Sequence, residues 1–223
     1  MRSFLLAIIA SLALPTGAEA GAWLRSEGGG FASSSLSINK DREISGTVYL
    51  EYGLRPDRTL GADISFGIDR TGAQEGSAIV FLRVPLGPVD KTHKFAAHLG
   101  LGARVLNEEI LPAGEVGLSW GRGFQVGTRY GWLNVDSSYN LTQRPASDRI
   151  KLDLTAGLGI SDRTKLMLQM FNTFQDGDQF VKLAPSLLWS VGQKSGTTLQ
   201  LSAEVPVSGG GATALKIALW REW

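Results

Sequence analysis

The stretch "RIKLDLTAGLGI", residues Arg149 to Ile160, alternates apolar and polar side chains along most of its length. A repeat of two residues is the repeat of a β-strand, whose successive side chains point to opposite faces. The stretch therefore predicts a strand with one face in apolar surroundings and the other in polar surroundings. We call each set of alternate residues a parity. The apolar parity is Ile150, Leu152, Leu154, Ala156 and Leu158, and the polar parity is Arg149, Lys151, Asp153 and Thr155.

The same alternation recurs along the rest of the chain, bounded by Gly, Pro, Asp and Asn. No helical pattern competes with it, and we predict about twelve strands, with ten as the lower limit. Their expected bounds are Phe31–Asn39, Ile44–Gly53, Thr59–Asp69, Ser77–Leu86, Lys94–Val105, Gly114–Gly123, Trp132–Leu141, Arg149–Ile160, Thr164–Phe174, Gln179–Val191, Thr197–Val207 and Ala212–Trp223.

Charged side chains fall on one parity of almost every predicted strand. In a soluble β-sandwich the polar parity faces water and the apolar parity is the core. In a membrane barrel the apolar parity faces lipid and the polar parity lines the lumen. If the chain is a barrel, the lumen-lining candidates are Glu51, Asp63, Arg83, His98, Arg104, Glu115, Asp136, Lys151, Asp153, Lys182, Glu204 and Lys216.

Three features of the predicted strands favour the barrel. Their lengths cluster near ten residues, which a tilted strand needs to cross a bilayer, whereas strands in globular proteins are usually five or six. Their number is even, which returns both ends of the chain to one side. Aromatic residues on the apolar parity lie near the strand ends, as in the interfacial girdles of barrels. We therefore predict an all-β fold, an antiparallel up-and-down transmembrane β-barrel, over residues 21–223.

The first twenty residues have the composition of a secretory signal peptide. Arg2 precedes a short apolar run, and Ala18-Glu19-Ala20 forms an A-x-A cleavage site. Residues 1–20 are therefore predicted to be removed after export. The chain has no cysteine and a formal net charge of +1, so neither a disulfide scaffold nor a nucleic-acid surface is expected.

The chain ends on "ALKIALWREW", residues 214–223, which is a further alternating strand. A terminal aromatic with apolar residues at alternating positions resembles the C-terminal assembly signal of Gram-negative outer-membrane β-barrel proteins. The matching positions are Leu215, Ile217, Leu219 and Trp223, whereas Arg221 departs from the pattern. The resemblance implies insertion by the barrel-assembly machinery, a lipid-embedded wall in the outer membrane, and both mature termini in the periplasm.

Residues that could support catalysis are few. His93 and His98 are the two histidines, and His98 falls on the polar parity. In the outer-membrane phospholipase family a serine follows the histidine by two residues, but here Gly100 occupies that position. Metal ligation needs more His or Cys at suitable spacing than the chain offers. We expect no enzyme activity, no metal and no cofactor, and His98 in an interior polar network.

The predicted function is a narrow passive channel or transporter-like pore for small solutes or ions. A barrel of twelve strands is wider than the eight-stranded kind and narrower than large porins, so balanced lumen charges could either line a pore or fill it. The alternatives are a structural barrel without conductance and, from another class, an exported soluble β-protein that binds a ligand.

Deleting Trp223 tests the terminal signal. We expect less folded protein in the outer membrane, because the assembly machinery would lack the aromatic that it recognises. Trp223→Phe keeps an apolar ring at the interface and should assemble normally. The folded fraction is measured by gel electrophoresis in the cold, as the band whose mobility shifts when the sample is boiled. Unchanged assembly of the deletion would contradict the assignment of Trp223 to an assembly signal.

Overall fold

Twelve strands form a closed barrel in the computed structural model, which describes residues 21–106, 108–192 and 196–223. The predicted signal peptide lies outside these residues. The described elements are β1 (Gly30–Asn39), β2 (Ile44–Arg55), β3 (Arg58–Ile68), β4 (Gln74–Pro85), β5 (His93–Leu106), β6 (Glu109–Val126), β7 (Arg129–Thr142), a 3₁₀ turn (Pro145–Ser147), β8 (Arg149–Gly159), β9 (Thr164–Gln175), β10 (Asp178–Val191), β11 (Thr197–Ser208) and β12 (Ala214–Glu222).

Each strand pairs antiparallel with its neighbours in sequence, and the pairing of β1 with β12 closes the wall. That seam runs from Phe31 opposite Glu222 to Asn39 opposite Ala214. The described wall therefore has no open edge, which a sheet in hydrocarbon requires. The predicted fold, an all-antiparallel up-and-down barrel of twelve strands, is confirmed.

The connections alternate between the two ends of the barrel. We call the end that carries Gly30 and Trp223 the terminal rim, and the opposite end the far rim. At the far rim β9 and β10 are joined by Asp176 and Gly177, whose φ angles are 52° and 83°. A two-residue hairpin with both φ angles positive needs this kind of Asp-Gly pair, so the local sequence specifies the turn.

The outward face is an apolar belt. Leu101 is 72% exposed, Leu99 66% and Leu215 64%, and similar side chains surround the barrel. A continuous belt of this kind is unfavourable in water and fits the hydrocarbon of a bilayer. Exposed aromatics lie near both rims: Tyr52, Phe95, Trp189 and Trp223 at the terminal rim, and Phe66, Tyr139 and Phe174 at the far rim. Among the described residues, no helix is both long enough and apolar enough to cross a membrane.

Strand β6 is longer than its sequence pattern predicts. It has 18 residues and starts at Glu109, whereas the alternation indicated a start at Gly114. The difference comes from Pro112, which usually marks a strand end because it has no N–H to donate. Here Pro112 continues the register opposite Ala103 and points outward, where it is exposed.

Charge insertion should distinguish the two faces. Leu201 faces outward and is 53% exposed, so Leu201→Arg places a charge in hydrocarbon, at a cost of about 2–4 kcal/mol near the midplane. Thr155→Arg is the control, because Thr155 is half-buried on the inward parity and the charge would enter the lumen. Urea unfolding in lipid vesicles measures how much free energy of unfolding each variant loses. Equal losses for the two variants would contradict the assigned faces.

Candidate functional site in the barrel lumen

The twelve lumen-lining candidates all lie on the inward parity. Glu51, Arg83 and Arg104 are buried there, and the other nine are half-buried or, as with Lys182, exposed to a cavity at the far rim. They do not form one site. They fall into a buried cluster around Glu51, a polar layer near the middle of the barrel, and a far-rim vestibule.

A chain segment also occupies the lumen, and sequence reasoning missed it. Residues 21–26, called here the N-terminal segment, run from the middle of the barrel to the terminal rim. Ala22 N–H donates to Asn134 Oδ1 at 3.3 Å, and Arg25 N–H donates to Thr59 Oγ1 at 2.9 Å. Trp23 is 7% exposed. The terminal-rim half of the lumen is therefore filled by a segment that is not part of the wall.

Apolar side chains of the wall receive Trp23. It belongs to a buried cluster with Ala22 and with Trp132, Met167 and Leu188 from three strands. These inward apolar residues break the polar pattern of the lumen face, and the segment is what they pack against. Burying an indole this fully is worth several times the thermal energy, so the segment is held firmly.

Glycines of the wall make room for the segment. A Cβ at Gly121 would lie 2.4 Å from the Trp23 ring, and one at Gly53 would lie 2.0 Å from the Ser26 carbonyl oxygen. Backbone hydrogen bonds of 2.9 Å from Gly28 N–H to Gly53 O and from Gly53 N–H to Gly29 O hold the segment's exit from the lumen. Larger residues at either wall position would displace the segment, so the wall is shaped to hold it.

Glu51 is the centre of a buried ionic cluster. Its carboxylate accepts from Arg25 Nε at 2.6 Å, from the Tyr49 hydroxyl at 2.6 Å, and from Arg83. Arg83 also donates to the Tyr49 hydroxyl at 3.0 Å, and the Arg25 guanidinium lies 4.7 Å from the centre of the Phe31 ring. Glu51 is 2% exposed, so the charge depends on these partners. Because Arg25 comes from the N-terminal segment, the cluster ties that segment to the wall.

The polar layer lies near the middle of the barrel. His98 Nε2 is 2.9 Å from Glu115 Oε1, while His98 Nδ1 is buried without a hydrogen-bond partner. Asp136 accepts from Ser119 Oγ at 2.5 Å and from the Asn134 amide. In a hydrolase of this kind, a serine hydroxyl would be hydrogen-bonded to the histidine that activates it. In the described structure, no hydroxyl is hydrogen-bonded to His98. In the described residues no group of three or more His, Cys, Asp or Glu is arranged to hold a metal ion.

A loop covers part of the far rim. Arg104, 2% exposed, donates to the carbonyl of Ser147, which draws residues 143–148 over the lumen. Asp148 anchors this loop by accepting from Thr142 N–H at 2.7 Å and from the Tyr139 hydroxyl at 2.9 Å. The pKa of Asp148 lies below its ordinary value, mainly because its carboxylate accepts the hydrogen bond from Thr142 N–H. The carboxylate therefore remains charged at neutral pH and keeps the loop in place.

The far rim also opens into a cavity of about 460 Å³, called here the vestibule. Four carboxylates and one ammonium line it: Glu43, Asp69, Glu75, Glu204 and Lys182. Glu204 pairs with Lys216 at 3.3 Å and Glu75 with Arg149 at 3.2 Å, so two of the four carboxylates have a cationic partner. The lumen thus opens into the vestibule at the far rim. At the terminal rim it holds the N-terminal segment, and a second cavity of about 400 Å³ lies between that segment and the connection from β4 to β5.

Comparison with known proteins identifies the class of barrel. No protein-family model matches the chain, and no curated protein matches it either. Solved outer-membrane barrels share the fold at low sequence identity. The KdgM porin in complex with disordered oligogalacturonate has a TM-score of 0.59 at 6% identity, with 86% of this chain and 99% of that chain covered. An outer-membrane channel from Pseudomonas putida F1 has a TM-score of 0.57 at 12% identity, with coverage of 88% and 96%. LpxR from Salmonella typhimurium has a TM-score of 0.60 at 7% identity, with coverage of 86% and 99%.

Removing the charge of Glu51 tests the ionic cluster. Glu51→Gln leaves the Arg25 and Arg83 guanidinium groups facing each other without a carboxylate, and we expect a loss of about 3–5 kcal/mol in the free energy of unfolding. Glu204→Gln is the control, because its pair with Lys216 is partly exposed and should contribute about 1 kcal/mol or less. Urea unfolding in vesicles measures both, and similar losses would contradict a special role for Glu51.

The fold shared with solved outer-membrane barrels, the apolar belt on the outward face and the alternation in the sequence all indicate the same architecture. The chain has the closed, all-antiparallel fold of Gram-negative outer-membrane β-barrel proteins.

Proposed function

We propose that the protein is an integral outer-membrane channel for small solutes, with both mature termini in the periplasm and a preference for cations. One observation carries the channel assignment: the element that closes the lumen is the N-terminal segment and not the wall. A segment held by hydrogen bonds, one ionic cluster and one indole can leave as a unit, whereas wall side chains cannot.

The charge of the vestibule supports the cation preference. The Glu43, Asp69, Glu75 and Glu204 carboxylates outnumber the single ammonium of Lys182 among its lining groups. A mouth lined by one sign of charge concentrates ions of the opposite sign and repels the others. Below it, the inward Lys, Asp and Glu side chains of the polar layer supply further charges along the path.

Solved structures of the same fold are compatible with this proposal. Two of them are titled a porin and an outer-membrane channel. The KdgM porin was solved in complex with disordered oligogalacturonate, and it is 6% identical to this chain. The solute class that the vestibule favours is small and cationic.

A second candidate is a barrel that serves the envelope without conducting. The N-terminal segment favours it, because Trp23 and the wall residues packed around it occupy the lumen at this depth. The third alternative, a soluble β-protein, would have to keep its apolar belt in water, which disfavours it. For either barrel the partners we propose are outer-membrane lipid at the belt and the assembly machinery at β12.

Planar-bilayer recording distinguishes the two barrels. A variant that lacks residues 21–27 after the leader should conduct more than the complete chain, because the terminal-rim half is then open. In a KCl gradient its reversal potential should indicate cation preference. If the shortened barrel is folded by gel mobility and still conducts nothing, the channel proposal is wrong.

Selectivity is tested in the same shortened barrel. Glu75→Gln and Glu204→Gln each remove a vestibule carboxylate and leave Arg149 or Lys216 in excess, so the reversal potential should shift toward anions. Asp57→Asn is the control, because Asp57 is exposed at the terminal rim, away from the vestibule. A shift for Asp57→Asn as large as that for the vestibule variants would contradict the assigned role of the mouth.

A further inference from the structure

The chain enters the lumen with Gly21 foremost. Gly21 lies against the middle of β7, where a Cβ added to it would come within 2.5 Å of the Asn134 amide group and 2.6 Å of Asp136 Oδ1. Its neighbour Ala22 is 1% exposed and bonds to Asn134. The innermost point of the N-terminal segment is therefore in contact with the Asp136 carboxylate.

Asp136 has no ion-pair partner in contact with it among the described residues, and Arg83 and His98 act on it only from a greater distance. It accepts from Ser119 Oγ at 2.5 Å and from the Asn134 amide, which are both neutral donors. Across the described ranges, no Lys, Arg or His nitrogen forms an ion pair with it within 4 Å, whereas Glu51, Glu115 and Glu204 each have such a partner. The described Asp63 and Asp153 carboxylates also form no ion pair, but Asp136 is the one that Gly21 contacts. A carboxylate inside a barrel is expected to have a balancing charge nearby.

The sequence supplies a cation at this place. The A-x-A motif ends at Ala20, so signal cleavage is expected at the bond before Gly21. A leader peptidase adds water across that bond, which leaves a carboxylate on Ala20 and an amine on Gly21. The ordinary pKa of an α-amino group is about 7.7–8.0, so the new amine takes up a proton and is charged at neutral pH.

We propose that cleavage before Gly21 creates an α-ammonium that pairs with Asp136 inside the lumen and thereby seats the N-terminal segment as the plug of the barrel. The proposal rests on the proposed export of the protein. An uncleaved peptide amide at Gly21 carries no charge and cannot provide this pair. The plug is then fastened at two points, by the Gly21 ammonium on Asp136 and by Arg25 on Glu51.

Intact mass of the protein purified from outer membranes gives the first test. We expect a chain that begins at Gly21. A chain that begins after Arg25, or one that keeps residues 1–20, would overturn the proposal.

Accessibility of the plug gives the second test, and it needs no conductance. The chain has no cysteine, so Ala22→Cys introduces a single thiol at a position that is 1% exposed. We expect slow reaction with a water-soluble maleimide, and reaction about tenfold faster when Asp136→Asn is added, since local opening exposes the site. Glu27→Cys, at the exposed position that directly follows the segment, should react fast in every background.

Two variants make the test specific for the ammonium. Asp63→Asn removes a carboxylate of the same lumen at a position on β3 and should leave the labelling of Ala22→Cys slow. Two serines inserted between Ala20 and Gly21 move the ammonium away from Asp136 and should speed labelling as Asp136→Asn does. If the extended chain stays as slow as the parent, or if Asp63→Asn acts like Asp136→Asn, the pairing is wrong. A barrel that never conducts would still give these rates, so the channel proposal can fail separately.

Discussion

Hydrocarbon offers no hydrogen-bond partner to a peptide group, and the architecture of this protein depends on that constraint. A sheet can cross the bilayer only when its first and last strands pair, as β1 and β12 do. Once the wall is closed, period-two alternation assigns every second side chain to lipid and the others to the lumen. The inward position of Glu51, Arg83 and the other charges thus follows from closure combined with register.

The fold was predictable from sequence because its signal is local. Alternation can be recognised within one strand, as in Arg149–Ile160, and tight turns such as Asp176–Gly177 mark the ends. The parity of the inward charges followed from the same counting, since a shift of one residue would move all of them into lipid. The pattern failed at Pro112, where a residue with a strong local preference continues the β6 strand because its neighbours hold the register.

The contents of the lumen were not predictable in the same way. The N-terminal segment has no periodicity, and its place depends on contacts with Asn134 and Thr59 that are distant in sequence. Glu51 was recognised as an inward charge, but its partners come from 26 residues before it and 32 residues after it. Inward apolar residues such as Trp132 depart from the polar pattern of the lumen, and they pack in one buried cluster with Trp23. Pairing across a lumen is a three-dimensional property that alternation does not encode.

The seam between β1 and β12 has a consequence for the order in which the molecule can be built. Gly30 and Trp223 exchange backbone hydrogen bonds of 3.0 and 3.2 Å, so the last residue of the chain is fastened beside the exit of the plug. The N-terminal segment precedes all twelve strands in the sequence and is therefore synthesised before them, whereas β12, which completes the cylinder, follows the other eleven. A finished cylinder can admit a chain end only through a rim, whereas an unfinished one can be wrapped around it. The topology therefore favours a wall that folds around the N-terminal segment. In the described wall, the β1–β12 seam is a junction where a chain end can reach the interior without interrupting a hairpin.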